Sequence, residues 1–289
     1  MHHSLARTVT AAALLGVSGF VTMPAHAAPE ALPSPTVFAH RGASTEAPEN
    51  TLAAVRRAHE QHITWIENDV QRTKDGALVV IHDTTLARTT DVEQVFPDRS
   101  PWRVADFTLA EIQRLDAGGW FAPRYRGEHI PTLLDYLTLL DRNRQGLLLE
   151  LKQPDLYPGI EKQTIATLAR AGWLDADHLT GRLVIQSFSA PALRRTHELR
   201  PAVETGFLGS PPVSRLKEYA AFADQINPDE KNVTFAYVTA VHGLRGPDGK
   251  PLRVNAWTVD DLTTAIRMAA LGADGIITNR PDVIRNGVQ

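Results

Sequence analysis

Seven residues of this chain combine reactive side chains with positions at the ends of apolar runs: His40, Arg41, Glu67, Asp69, His82, Glu150 and Lys152. Glu67 and Asp69 sit two apart in "WIENDV", so on a strand their carboxylates share one face. Glu150 and Lys152 repeat that spacing in "LLLELK". Buried carboxylates are costly unless paired or bound to a cation. Three together offer hard oxygen donors for a divalent ion, Ca2+ or Mg2+. The competing reading is a salt-bridged polar layer neutralised by Arg41 and Lys152. His40 ends "TVFAH" and His82 ends "ALVVIH". Two imidazoles can divide general-base and general-acid work near neutral pH. Two His, two cations and three carboxylates at one rim suit phosphoryl transfer, and that combination favours the metal reading. Glu49 is a further candidate, placed to fix His40 or Arg41 from behind. Asn50, beside it, precedes "TLAAVRRAHE" and reads as the cap of that helix.

These residues meet only if the elements that carry them converge. Apolar runs at 37–39, 65–70, 147–151, 183–188, 203–208, 225–227, 253–259 and 275–278 read as strands. Helical patterns at 52–61, 133–141, 160–171, 191–199, 213–222, 235–242 and 261–271 separate most of them, the last capped by Thr258 or Asp260. Eight strands alternating with helices predict an α/β fold, a (β/α)8 TIM barrel, whose C-terminal strand ends form one rim. No G-x-G-x-x-G follows a strand, which argues against an open dinucleotide-binding sheet. "TKDG" (73–76) is too short for a parallel crossover and predicts a hairpin that returns His82 beside Asn68 and Asp69. Residues 84–130 break the rhythm. They read as an insertion after the second strand, lying over the barrel mouth, with Trp102, Trp120, Phe121 and Tyr125 as its apolar mass.

The 289 residues are 43% hydrophobic and 22% charged, a globular balance that allows one large domain. A net charge of −3 and a pI of about 6.4 exclude a basic field for nucleic acid or an anionic membrane. Residues 1–27 read as a signal peptide: an apolar run at 9–21, too short for a membrane span, then Ala25-His26-Ala27 in the small-x-small form. The expectation is an exported chain, periplasmic or secreted, with a barrel domain at 28–289 and no stable membrane insertion after cleavage. With no Cys, stability rests on the core and not on disulfides.

The ordered set "AHRG", "PENT", "IENDV", "TKDGALVVIHD", "IPTLLDYL", "LLLELK", "QSF", "VNAWTV" and "DGIITNRPD" spans residues 37–282. In that order the chain resembles the glycerophosphodiester phosphodiesterase family. Each piece alone is weak; the sequence of pieces is specific. The resemblance implies a (β/α)8 barrel, a divalent metal, and hydrolysis of small-molecule glycerophosphodiesters such as glycerophosphocholine to sn-glycerol 3-phosphate and the alcohol. By position it implies His40 and His82 as the acid–base pair and Glu67, Asp69 and Glu150 as metal ligands. Arg41 and Lys152 fall where phosphate oxygens are held, and Trp257 falls on an aromatic wall, with Phe188 a second aromatic candidate. Asn68 departs from the pattern, where an apolar residue is commoner, and should face away from the interior. Same-barrel lyases, sphingomyelinase D-like or phosphatidylinositol phospholipase C-like, would yield a cyclic phosphate instead. A periplasmic binding protein on a degraded barrel would have lost some catalytic positions, and none of His40, His82, Glu67, Asp69, Glu150 or Lys152 is missing.

Overall fold

The stretch Gly146–Leu151, GLLLEL, is buried at every position. A strand in a closed parallel barrel is covered by side chains within and by helices without. The computed structural model describes residues 1–3, 8 and 34–288. The chain divides into Met1–Ala31 and Leu32–Gln289, and the fold below is that of the second unit. The signal-peptide expectation falls on 1–27, of which all but residues 1–3 and 8 lie outside the described residues. Among the described residues, no helix is long and apolar enough to cross a membrane.

In chain order the strands are β1 (Thr36–Ala39), β2 (Trp65–Arg72), β3 (Leu78–Val80), β4 (Gly146–Leu151), β5 (Leu183–Ser187), β6 (Glu204–Leu208), β7 (Gln225–Asn227), β8 (Arg253–Ala256) and β9 (Gly275–Thr278). All but β3 are parallel, and β1 pairs with both β2 and β9, which closes an eight-stranded (β/α)8 barrel. The antiparallel β3 lies on β2 with Val70 opposite Val80. The Ile81 N–H donates to the Asp69 carbonyl at 2.9 Å, so the "TKDG" hairpin delivers His82 to the rim as expected.

Inside the barrel, Phe38, Leu148, Val184 and Ile277 pack together with Trp65 and Trp257. Strand residues two apart share a face. Counting on from Phe38, Trp65, Leu148, Val184 and Ile277 therefore gives His40, Glu67, Glu150, Gln186 and Asn279. An apolar layer thus carries a polar one directly above it. Asn68, between Glu67 and Asp69, falls on the opposite face and is fully buried.

The loop after β1 turns back over the helix Leu52–Glu60. Gly42 makes this possible: its φ is +83°, and a Cβ there would stand 2.6 Å from Ala54 Cβ. That helix is capped by Thr51, whose side chain accepts from the Ala54 N–H, not by Asn50. Asn50 instead adopts φ 60° and turns its amide inward, because the neighbouring hydroxyl already satisfies the helix start. In the same way Asp261, and neither Thr258 nor Asp260, caps the helix Leu262–Ala270.

One further expectation needs correction, and one helix was not read from the sequence. Residues 213–222 form a 3-10 turn, Val213–Arg215, and a short helix, Leu216–Tyr219. Pro211 and Pro212 precede it and no side chain caps its start, so the first turn tightens. A last helix, Pro281–Val288, follows β9 and has Pro281 and Asp282 in its first turn, the usual start signals. The apolar residues of 84–130, expected over the barrel mouth, form two groups. Leu86, Val92, Val104, Phe107, Ile112 and Leu115 pack on Val79 and Ile81 of the hairpin, forming a core of their own. Trp120, Phe121 and Tyr125 stack edge-to-face, and the Tyr125 hydroxyl donates to the Glu46 carbonyl.

Candidate active site

The carboxylates of Glu67, Asp69 and Glu150 each offer an oxygen within 4.8 Å of the others, and all three residues are buried. Strand register sets this, since Asp69 on β2 stands beside Glu150 on β4. Asn50 Nδ2 donates to Asp69 Oδ2 at 2.8 Å, and Arg41 Nε lies 3.3 Å from the same oxygen. Lys152 Nζ sits 3.0 Å from Glu150 Oε1 and 3.5 Å from Asp69 Oδ1. Burial, then the charges of Asp69 and Glu150, raise Glu67 well above the ordinary carboxylate range. Burial and then Asp69 push Glu150 up to about 8. Burial also opposes ionisation of Asp69, but Lys152 and Arg41 outweigh it and hold Asp69 below its ordinary value. The trio therefore lacks positive charge. Asp69 Oδ1 is buried with no hydrogen-bond partner, an acceptor left open among oxygen donors. Those are the features of a site for a hard divalent cation.

The two histidines are held differently. His40 Nδ1 lies 2.7 Å from Asn279 Oδ1. Asn279 Nδ2 donates to Asp260 Oδ2 at 2.7 Å, which orients the amide so that its oxygen faces the ring. His40 therefore carries its proton on Nδ1. Its Nε2 keeps a lone pair, 3.9 Å from Glu67 Oε2. Burial and then the Arg41 charge lower His40 to about 4, so the ring is neutral at neutral pH. His82 Nδ1 instead faces a carboxylate, Asp83 Oδ1, at 2.7 Å. Arg88 donates to both oxygens of Asp83, at 2.6 and 2.9 Å, and to both of Glu49, at 2.7 and 2.8 Å. Hydrogen bonding from Arg88 first, and from His82 after it, holds Asp83 down at about 2. Glu49 holds Arg41 Nη1 at 2.9 Å, so of the two partners expected for Glu49 the structure selects Arg41.

A cavity of about 100 Å3 opens among these groups, lined by both histidines, Arg41, Glu67, Glu150 and Lys152. Trp257, Leu208 and Ile277 wall it, with Trp257 anchored by its Nε1–H on the Asn227 carbonyl at 2.7 Å. Phe188 meets Trp257 edge-on, centroids 5.5 Å apart, and is half exposed. Asp69 and Glu49 stand behind the lining and act on it through Arg41.

A family model for the glycerophosphoryl diester phosphodiesterase family matches residues 40–283. The chain belongs to that family. The glycerophosphodiester phosphodiesterase of Bacillus subtilis (strain 168) is 34% identical over 289 residues, covering 93% of each chain. That of Caldanaerobacter subterraneus subsp. tengcongensis is 36% identical, over 88% of this chain and 97% of the relative. Among solved structures, a phosphodiesterase of Oleispira antarctica in complex with the product sn-glycerol-3-phosphate is 30% identical, with a TM-score of 0.72, over 88% of this chain and 97% of that one.

Several residues that shape the site of this family member escape a reading of the sequence by strand ends. Asn279 was visible at the end of β9 in "TNRPD", but its partner His40 lies at the other end of the chain. Asp83 adjoins His82, and "HD" was the available signal. Arg88 and Asn50 carried none, because an exposed arginine in an insertion and an asparagine before a helix have commoner uses.

The charge shortage makes stability depend on pH, and a cation held by the trio would relieve it. Glu150 titrates in the folded chain above its ordinary 4.5, so protonation stabilises the fold and that contribution is lost as pH rises through about 8. In chelator, Tm should fall between about pH 6.5 and 8.5, a window above the ordinary His range. Ca2+ or Mg2+ should raise Tm more at the upper end, where no proton has to be displaced. Thermal scans giving no metal-dependent rise at either pH would remove the cation from this site. Arg88 supplies a second expectation. Arg88→Gln should lower kcat/KM by about tenfold or more, the usual scale for a partner that orients reacting groups. Arg88→Lys should recover little, because an ammonium cannot grip two carboxylates in parallel. A change in Tm with an unaltered pH–rate profile would reduce Arg88 to a structural role.

Proposed function

We propose that this enzyme hydrolyses glycerophosphodiesters to sn-glycerol 3-phosphate and a free alcohol, with Glu67, Asp69 and Glu150 holding Ca2+ or Mg2+. The observation that carries the reading is a buried, under-neutralised carboxylate trio facing two oppositely wired histidines across one small cavity. The product named in the Oleispira antarctica structure supports the substrate class. A divalent ion bound by the trio supplies the positive charge that a phosphodiester brought against three carboxylates requires. Arg41 and Lys152 offer further N–H donors to the phosphate oxygens. Both are already oriented by carboxylates, so little reorganisation accompanies charge development.

Tautomer and position divide the proton transfers. Neutral His40, with its Nε2 lone pair, takes the proton of the attacking oxygen. His82 gives a proton to the departing alcohol oxygen. It lines both the inner cavity and the wider groove beside it, whereas His40 lines the cavity alone. Over the whole reaction one water is consumed: its oxygen bonds to phosphorus, the phosphorus–alcohol bond breaks, and the alcohol leaves protonated. Trp257, Leu208 and Ile277 give an apolar wall to the glycerol carbons.

We also propose that residues 1–27 are removed on export to the periplasm or the medium, on the strength of the apolar run and the Ala25-His26-Ala27 site. N-terminal sequencing of the exported chain should begin at Ala28, and an intact Met1 in that fraction would end the proposal. For the chemistry, His40→Ala and His82→Ala should each cost about a hundredfold or more in kcat/KM. The double variant should lose less than the product of the two. Because His40 acts when neutral, the acid limb of kcat/KM should fall as pH drops through about 4 and not through 6.5. Phosphorus NMR of the products should show linear glycerol 3-phosphate. A cyclic phosphate as end product would assign the enzyme to the lyase class, and near-wild-type rates in either single variant would remove that histidine from the reaction.

A further inference from the structure

The inner cavity does not end at Lys152 and Phe188. There it joins a groove of about 870 Å3, with which it shares His82, Glu150, Lys152 and Phe188. The difference in size matters. The inner cavity is the smaller space, and a second substituent on phosphorus has room only in the wider groove beside it. No residue of 84–130 lines the groove, so nothing in the insertion limits its length.

Beyond its entrance the groove wall is mostly apolar, interrupted by Gln153, Ser187 and Ser189. Pro154 and Leu156 flank one side, and Phe207 and Tyr219 the other, their rings 4.5 Å apart. Leu156 and Phe188 are 55% and 51% exposed, among the most exposed large apolar side chains of the chain. At the entrance Lys152 Nζ stands 3.0 Å from Glu150 Oε1. Past them, Asp155 is the one charged side chain of the lining. A small ammonium head group would cover little of that apolar wall, whatever the balance of Lys152, Glu150 and Asp155 around it.

We propose that this groove is the subsite for the leaving alcohol and that it takes an apolar alcohol, alkyl or aryl, in preference to a small charged head group. The inference rests on the hydrolase reading above and extends it to the substrate's second half. Contacts along the groove lie away from the reacting bond and hold ground and transition states alike. They should therefore lower KM and leave kcat nearly constant.

The test compares glycero-3-phosphoryl esters of ethanolamine, choline, n-hexanol and benzyl alcohol, each below its aggregation concentration. The hexyl and benzyl esters should exceed the ethanolamine ester in kcat/KM by about tenfold or more, the gain appearing in KM, as burial of a few methylenes gives. Leu156→Glu and Pro191→Glu change exposed groove residues, Pro191 at a helix start where an acid is well tolerated. Each should pull the hexyl-to-ethanolamine ratio down toward one. A ratio near one in the wild-type enzyme, a preference for choline or ethanolamine, or a ratio unmoved by both variants overturns the subsite while leaving the hydrolase reading intact. Absence of turnover with all four esters overturns the hydrolase reading, and the subsite with it.

Discussion

Three buried carboxylates within 4.8 Å of one another cannot all ionise without added positive charge, and much of the rim is arranged around that constraint. Arg41 and Lys152 are drawn in to offset part of it. Arg41 is itself held by Glu49, Glu49 by Arg88, Arg88 by Asp83, and Asp83 by the His82 ring. Signs alternate along this chain from the buried cluster to the exposed rim. One charge imbalance at the bottom thus orders residues from β1, the β2–β3 hairpin and the insertion. It also explains why both cations point inward before any phosphate arrives.

The opposite half of the barrel interior solves burial without charge. Asn255 donates to Gln225, Asn227 donates to Gln186, and Gln186 Nε2 reaches Glu67 Oε1 at 3.4 Å. Side-chain amides carry donors and acceptors together, so they can fill a low-dielectric interior while remaining neutral. Gly206 leaves room for them: a Cβ there would stand 2.8 Å from Asn227 Nδ2. Ionised groups are therefore gathered on one side of the interior, and the cavity between the halves has a charged wall and an apolar one, as a ligand with an anionic head and a carbon skeleton requires.

What was legible in the sequence was whatever alternation within one strand determines. The two-residue period places Glu67 with Asp69 and Glu150 with Lys152, and the short "TKDG" turn fixes where His82 returns, so the cluster and both histidines could be named in advance. What was not legible depended on packing between segments. The insertion carries conspicuous aromatic residues, but the sequence does not show which of its apolar residues pack on Val79 and Ile81 of the hairpin. Asn50 read as a cap because capping is a local property. Its actual partner, Asp69, is supplied by another strand. Arg88 was invisible for the same reason: an arginine has many exposed uses, and only the folded chain shows that two carboxylates converge on it.

The bond between His40 and Asn279 spans 239 residues, joining the first strand's end to the last's. The tautomer of the ring is thus set by a contact that local structure cannot make. A growing chain on the ribosome carries His40 early, yet the amide that directs its proton is among the last parts made. A nascent or C-terminally clipped chain that stops short of β9 lacks both the acceptor for the His40 Nδ1 proton and the strand that pairs with β1. The orientation of that ring and the closure of the barrel therefore arrive together, with the last strand.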